Sequence, residues 1–401
     1  MKILQVNKFL HPNGGSETYM FQLTNALREL GHEVKIWGME DQRNISADFP
    51  EFEASNIDYK NQSFSKKLSS TFGTIYSYEN RKKISKVLEI FKPDIVHIHN
   101  YNFQLTPSIL PEIKKRGIKI VQTVHDGQMV CPYHRLFNFQ RNETCIKCVK
   151  GSFFNCIKDK CFDGSIFKSV VGASESMFYH QLNFYNKYID VFISPSYFLA
   201  GLLSNKINKE IKVIPNFTEI KTSSMINDQP GGYYLFYGRI TEEKGIVELI
   251  DIFKETQLNL IIIGTGNLVE LIEEKIKPFN NIKYLGPKYN EELFDYVKNA
   301  KYVIIPSKWF ENCPMTIIES FALNVPVIGD NHSGFKDLIT NEKTGYLIDF
   351  KERTTIVSKL IEIDKKDPSS LKENIRDYFQ KNLTKEIHIQ RVLEVYKSLN
   401  N

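Results

Sequence analysis

The strongest constraint on this chain is a repeated rhythm of short apolar runs, rich in β-branched residues, followed by segments whose apolar positions recur at helical spacing. "KILQVNKF" opens it, a Gly-Gly loop and "SETYMFQLTNALRELGHEV" carry it to a helix stop at Gly31, and "PDIVHIHN", "KIVQTVHD" and "DVFISPS" repeat the strand half. After residue 230 it returns in "YYLFYGR", "LNLIIIGTG", "NIKYLG", "KYVIIPS" and "VPVIGD". Strands without polar alternation are those that helices cover on both faces of a parallel sheet. The pattern predicts an α/β chain of two doubly wound, Rossmann-like domains, and 401 residues give each a core of its own. The polar stretch "IPNFTEIKTSSMINDQPGG", with Pro and Gly at its ends, marks the linker.

A content of 42% hydrophobic and 25% charged residues excludes a collagen-like or wholly disordered chain. No apolar run approaches the ~20 residues that cross a bilayer, and the N-terminus turns polar too early for a signal-peptide core, so a cytoplasmic location is expected. The formal net charge of +5 gathers in residues 1–200, which carry +6 against −1 for the rest. That bias is too small for a nucleic-acid partner.

Open α/β sheets bind ligands beyond the carboxyl ends of their strands, where this chain is unusually polar. In "HPNGGSET", Gly14 and Gly15 let backbone approach a ligand, and a helix starting near Ser16 aims its free N–H groups at the same loop, a seat for phosphate. An ordinary strand-to-helix turn reads the same way. In "YGRITEEKG", Arg239 and Lys244 can converge on a diphosphate, the one as a bidentate fork and the other as a point charge. The alternative is a solvated pair bridged to Glu242 or Glu243. In "KWFENCPMTIIESFALNVPVIG", Pro314 is expected as the first residue of a helix, leaving the N–H groups of Met315 and Thr316 free, with Glu311 in the loop before it. Glu319 falls among apolar helical neighbours, where a carboxylate is costly unless something binds it. Two such carboxylates suit a polyol, one for sugar hydroxyls and one for a ribose diol.

The Gly-Gly loop, "GRxxxEKG", the Glu311/Glu319 pair at "E-x7-E" and the trailing "PVIGDNHSGFKDLITNEKTGYL" together resemble the retaining family 4 glycosyltransferases of the GT-B fold, in the right order over most of the chain. The resemblance implies an acceptor-side domain over 1–216, a donor domain over 217–384 and a final helix, 385–401, returning to the first. It implies that Arg239 and Lys244 hold the diphosphate of a nucleotide sugar, UDP-linked by preference, and that Glu319 takes the ribose. Glu311, Asn312 and the Pro314–Thr316 backbone take the transferred sugar, and Gly14, Gly15 and Gly264 complete the donor site. His125 matches the family histidine that contacts the sugar near its reacting carbon, with His99, Asn100 and Asp126 as positioning or acceptor-side groups. The site expected is the cleft between the domains. Asn312-Cys313 stands where Gly-Phe is frequent, and Lys336-Asp337 where an acidic residue usually follows, so the sugar itself is not implied. Retaining transfer of this kind uses the leaving diphosphate to deprotonate the acceptor on the same face, so no general base is assigned. The acceptor implied is a glycan or lipid-linked molecule of bacterial polysaccharide or glycolipid assembly. Two rivals are a Rossmann oxidoreductase, for which "IIIGTGN" lacks the third glycine, and a sugar-nucleotide-binding protein without activity.

Five of six cysteines crowd into residues 131–161, and Cys145, Cys148, Cys156 and Cys161 have spacings that a structural zinc could accept. Reduced thiols in a loop are the alternative, and with no acidic donor-metal motif the chemistry is expected to need no cofactor. Residues 60–92 hold eight Lys/Arg interleaved with aromatics, among them Lys60, Lys66, Lys67, Arg81, Lys82, Lys83 and Lys86. Such a helix suits peripheral docking on the inner, anionic face of a membrane, or is simply a solvated face.

Overall fold

The computed structural model describes residues 1–45, 47–56, 73–220 and 231–400. They divide into two units, one of Met1–Arg141, Cys145–Pro215 and His388–Asn401, the other of Asn142–Thr144 and Asn216–Ile387. The expected boundary after residue 216 differs from this by one residue, and the expected return of the chain at 385 by three. Residues 221–230 of the expected linker lie outside the described residues.

The first unit is built on six parallel strands: β1 (Lys2–Val6), β2 (Glu33–Trp37), β3 (Ile95–Ile98), β4 (Lys119–Thr123), β5 (Val191–Ser194) and β6 (Ile211–Val213), in the order β2-β1-β3-β4-β5-β6. β3 and β5 are buried at every position, as strands covered on both faces must be. Helix α1 (Gly15–Glu29) follows β1 and buries Tyr19, Met20, Leu23 and Leu27 on one stripe. Helix α2 (Tyr78–Phe91) is started by Ser77, whose side chain accepts from the Asn80 N–H, and buries Ile84, Val87, Leu88 and Phe91. Helix α3 (Ile166–Gln181) carries a fully buried Glu175.

The second unit repeats the architecture with β7 (Tyr233–Arg239), β8 (Asn259–Thr265), β9 (Ile282–Tyr284), β10 (Tyr302–Ile305), β11 (Val327–Asp330) and β12 (Gly345–Ile348), in the order β9-β8-β7-β10-β11-β12. Its first and central strand, β7, pairs with β8 and β10, as β1 pairs with β2 and β3. The strands β6 and β12 have no counterpart in the sequence reading, because "IKV" and "GYLI" are too short and too mixed to stand out. Among the described residues no helix is long and apolar enough to cross a membrane.

Candidate functional site

In the second unit the functional side chains gather where β7 and β10 end. Arg239 is the last residue of β7, and Lys244 closes a short turn, Glu242–Lys244, that ends on Gly245 at φ +71°. A Cβ at Gly245 would stand 2.0 Å from the Pro306 carbonyl oxygen, so the turn presses its backbone against the segment after β10. The Lys244 ammonium donates to Glu311 Oε1 at 2.5 Å, and Ser307 Oγ donates to the same oxygen at 2.7 Å. Burial works against the Glu311 charge, yet Lys244, with hydrogen bonds from Lys244, Ser307 and Trp309, holds its carboxyl below the ordinary range. Arg239 is exposed, lies 3.7 Å from Glu243, and stacks its guanidinium 5.5 Å from the Trp309 ring, with the Lys244 ammonium 5.2 Å from the same ring. The diphosphate cations and the sugar carboxylate, expected as separate contacts, are therefore one cluster around a tryptophan that sequence reasoning passed over. The bridge of Arg239 to Glu243 is the bland alternative realised in part.

Pro314 stands one position earlier than expected, as the N-cap of helix α4 (Met315–Ala322) rather than its first residue. Glu319 sits one turn in, half-buried. The Tyr237 hydroxyl lies 3.2 Å from its Oε2 and 2.9 Å from the Thr316 carbonyl oxygen. Burial dominates and pushes the Glu319 carboxyl up to about 7. It is a carboxylate short of donors at a helix beside a strand end. Gly264 has a simpler cause than ligand approach: at φ +145° its Cβ would fall 1.8 Å from the Gly238 carbonyl oxygen, so β7 and β8 meet there backbone to backbone. Asn312 is similarly close-packed, its carbonyl oxygen 1.7 Å from where a Gly334 Cβ would stand. Asp330, at the end of β11, is buried and pushed up to about 7 by burial, a strand-end carboxyl that sequence reasoning did not pick out.

In the first unit Gly14 caps α1 in extended conformation and Gly15 opens the helix. Neither needs to be glycine for the fold: a Cβ at Gly14 would make only ordinary contact with Glu17, and one at Gly15 would meet nothing within 4 Å. The loop is pinned from behind. Buried Glu17 accepts from Asn7 Nδ2 at 3.1 Å and from Ser16 Oγ at 3.0 Å, while Asn100 donates its side-chain N–H to Ser16 and its backbone N–H to Asn7 Oδ1. Asn100 thus ties the glycine loop to the end of β3, a positioning task. Asn7 and Glu17 were not foreseen.

His125 is half-buried just beyond β4. Its Nε2 lies 3.0 Å from Nδ1 of buried His99, whose Nε2 lies 2.8 Å from Gln5 Oε1. His99 is therefore an interior link to His125. His97, on β3, is satisfied by the Tyr396 and Thr123 hydroxyls at 2.6 and 2.7 Å. Burial lowers all three, His125 to about 4 and His97 to about 3. Asp126 accepts from the Gln128 N–H at 2.9 Å, and burial raises its carboxyl.

Cys145, Cys148, Cys156 and Cys161 do line one small cavity, and Cys131 joins them. Among the described residues no three Cys, His, Asp or Glu side chains are placed to hold a metal ion, and a structural zinc at these cysteines stays a proposal. The Cys156 and Cys161 thiols hydrogen-bond to each other, and burial pushes the Cys131 and Cys148 thiols up to about 12. The basic segment is described only in part. Lys60, Lys66 and Lys67 lie outside the described residues, Arg81 pairs with Glu112, Lys83 with Glu79 at 2.7 Å and Lys86 with Glu89 at 3.0 Å. Three of the eight cations in the segment therefore have carboxylate partners.

Two parallel α/β units of this topology, each with its polar side chains beyond the strand ends, define the GT-B fold. Solved structures agree. Sucrose-phosphate synthase from Thermosynechococcus elongatus superposes with a TM-score of 0.70 at 15% identity, over 99% of this chain and 98% of that one. HepE from Anabaena, in complex with UDP, gives 0.67 at 17% identity, over 99% and 100%. The family model for glycosyltransferase family 4 matches residues 13–221, and that for glycosyl transferases group 1 matches residues 217–397. The chain belongs to this glycosyltransferase family. Among curated relatives, an uncharacterized glycosyltransferase of Methanocaldococcus jannaschii is 25% identical over 283 residues, 65% of this chain and 61% of its own length. The capsular polysaccharide biosynthesis glycosyltransferase CapM of Staphylococcus aureus is 29% identical over 197 residues, 46% of this chain and 50% of its own. The chain spans only 61% and 59% of the length of the two archaeal relatives it matches.

Proposed function

We propose that this protein is a retaining glycosyltransferase that moves a sugar from a nucleotide diphosphate, UDP by preference, to a glycan or lipid-linked acceptor in polysaccharide or glycolipid assembly. The observation that carries the reading is the cluster of Lys244, Glu311 and Arg239 around Trp309. A diphosphate would draw Lys244 and Arg239 onto its oxygens, where they offset the charge that builds as the glycosidic bond breaks. Glu311, released from Lys244, would then accept from hydroxyls of the transferred sugar. Glu319, raised by burial and short of donors, is suited to a ribose diol, whose two hydroxyls would supply the hydrogen bonds that favour its ionised form. Gly14 and Gly15, exposed and not required by the fold, suit close approach of phosphate to the start of α1. The UDP preference draws on HepE, solved with UDP and with UDP-glucose, and the polysaccharide setting on CapM and on AmsK, an amylovoran biosynthesis glycosyltransferase of Erwinia amylovora.

The leaving diphosphate serves as the base toward the acceptor, so no protein base is invoked. His125, its pKa lowered to about 4 by burial, is no general acid at neutral pH and acts by hydrogen bonding. The lipid-linked acceptor does not depend on peripheral membrane association.

The test is calorimetric titration of UDP and of a panel of nucleotide sugars, followed by mass spectrometry of reactions with glycan and lipid-linked acceptors. Binding of one UDP-sugar with transfer and retained anomeric configuration is the expected result. Binding without transfer to any acceptor would favour a nucleotide-sugar-binding protein, and inversion would overturn the retaining mechanism.

A further inference from the structure

The stack formed by His97, His99 and His125 is more ordered than burial alone requires. The rings of His97 and His99 lie 4.6 Å apart at 28°, and those of His99 and His125 5.3 Å apart at 26°. Tyr19 meets both His99 and His125 edge-on, at 5.8 and 5.3 Å between ring centres. Charged rings in such a column would repel one another in a medium of low dielectric, and burial holds all three neutral. A neutral imidazole carries one N–H and one lone pair, so each hydrogen bond along the column fixes the next.

The direction is set at Gln5. Its carbonyl oxygen Oε1, buried in β1, can only accept, so the His99 nitrogen facing it, Nε2, carries the proton. His99 Nδ1 is then a lone pair, and the proton between His99 and His125 belongs to His125 Nε2. We propose that Gln5 and His99 are positioning residues that fix His125 as its Nε2–H tautomer, with the lone pair on Nδ1. The Nε2–H is committed to the interior. A sugar hydroxyl that approaches Nδ1 donates to it. This last step rests on the glycosyltransferase reading; the tautomer does not.

The device is built for permanence. Gln5 and His99 are fully buried; Gln5 stands on β1 opposite His97 of the neighbouring β3, and His99 lies two residues further along, just past the end of β3. Side chains two apart on a strand share a face, which is why His97 and His99 stack.

The experiment is two-bond proton–nitrogen correlation NMR on protein labelled with nitrogen-15 only at histidine, where the two tautomers give different patterns. His125 is assigned by the signal lost in His125→Asn. The wild type is expected to show His125 wholly as Nε2–H. Gln5→Met keeps the shape of the side chain without its acceptor, and His99→Phe keeps the stacked ring without its nitrogens. Each should give His125 as a mixture of tautomers and lower kcat by about 10-fold to 100-fold, with the donor KM changed far less. A wild-type His125 in the Nδ1–H form overturns the proposal. So does an unchanged His125 pattern in both variants, whatever their activity. If one variant fails to fold, the wild-type spectrum and the other variant decide. Should no donor or acceptor support turnover at all, the spectra still test the tautomer, and only the functional reading fails.

Discussion

The Lys244 ammonium and the Glu311 carboxylate stand 2.5 Å apart, so a cation suited to phosphate and a carboxylate suited to sugar hydroxyls neutralise each other. With side chains only 20% and 10% exposed, neither charge is comfortable alone. Lys244→Ala should therefore destabilise the protein by about 2–4 kcal/mol, while Lys244→Ala with Glu311→Gln should regain most of that loss and remain inactive. Because Glu311 is held below its ordinary 4.5, the contribution of the pair is full above that pH and fades as acid protonates the carboxylate. Denaturant melts of the two variants between pH 3 and pH 8, the window of ~5 units that spans the carboxylate range, measure this directly. A double variant no more stable than the single one would show that the pair contributes no mutual stabilisation.

Glu319 has the opposite sign. Burial lifts its carboxyl to about 7 from 4.5, so between those values the folded chain binds more protons than the unfolded one, and stability declines as pH rises. Above pH 7 the cost is fully present. Glu319→Gln should then raise the thermal midpoint at pH 8, by the equivalent of about 1–3 kcal/mol, and change it little at pH 4. The same variant should weaken binding of the bare nucleotide, because the ribose loses its acceptor. A gain at pH 4 equal to that at pH 8 would mean that shape and not charge is responsible.

Gly15→Val separates ligand approach from folding. Open space faces the new side chain, so the melting transition should stay within about 0.5 kcal/mol of wild type. Titration calorimetry should register a large loss of affinity for nucleotide sugars, since the branched side chain would fill the approach to the start of α1. Unaltered affinity would remove Gly15 from the donor site.

The cysteine cluster should react unevenly. Hydrogen bonding with Cys156 lowers Cys161, whereas burial pushes Cys131 and Cys148 up to about 12. Alkylation at pH 8 followed by peptide mapping should mark Cys161 before those two. About one zinc per chain in protein purified without chelator, with all these thiols protected together, would instead mean that they regroup around a metal.

What could be read from the sequence follows from range. Strands such as Val191–Ser194 and Tyr302–Ile305 announce themselves because a doubly covered strand is apolar at consecutive positions, a purely local signal. Glu319 stood out because a carboxylate among apolar neighbours is locally anomalous, and Glu311 because it pairs with Glu319 at "E-x7-E". Trp309, Tyr237 and Gln5 did not, since an aromatic or an amide near a strand is locally unremarkable. Their meaning lies in partners such as Glu319, 82 residues from Tyr237, and His99, 94 residues from Gln5. The cysteine spacing was legible for a related reason: it placed Cys145, Cys148, Cys156 and Cys161 around one cavity, while the fifth thiol there, Cys131, comes from outside that spacing.

The last stretch of chain gives the first unit an unusual biography. Tyr396 bonds to His97 across 299 intervening steps of sequence, and His388 holds both the Tyr19 hydroxyl at 2.9 Å and the Pro215 carbonyl oxygen at 2.7 Å. On the ribosome, β1, β3 and β4 are therefore made long before the side chains that complete their interior. The second unit, from Asn216 to Ile387, can mature while the first waits with its histidine column unsealed. A nascent chain arrested before residue 388 is the form that chaperones would meet, and its exposed hydrophobic seam is where misassembly would begin.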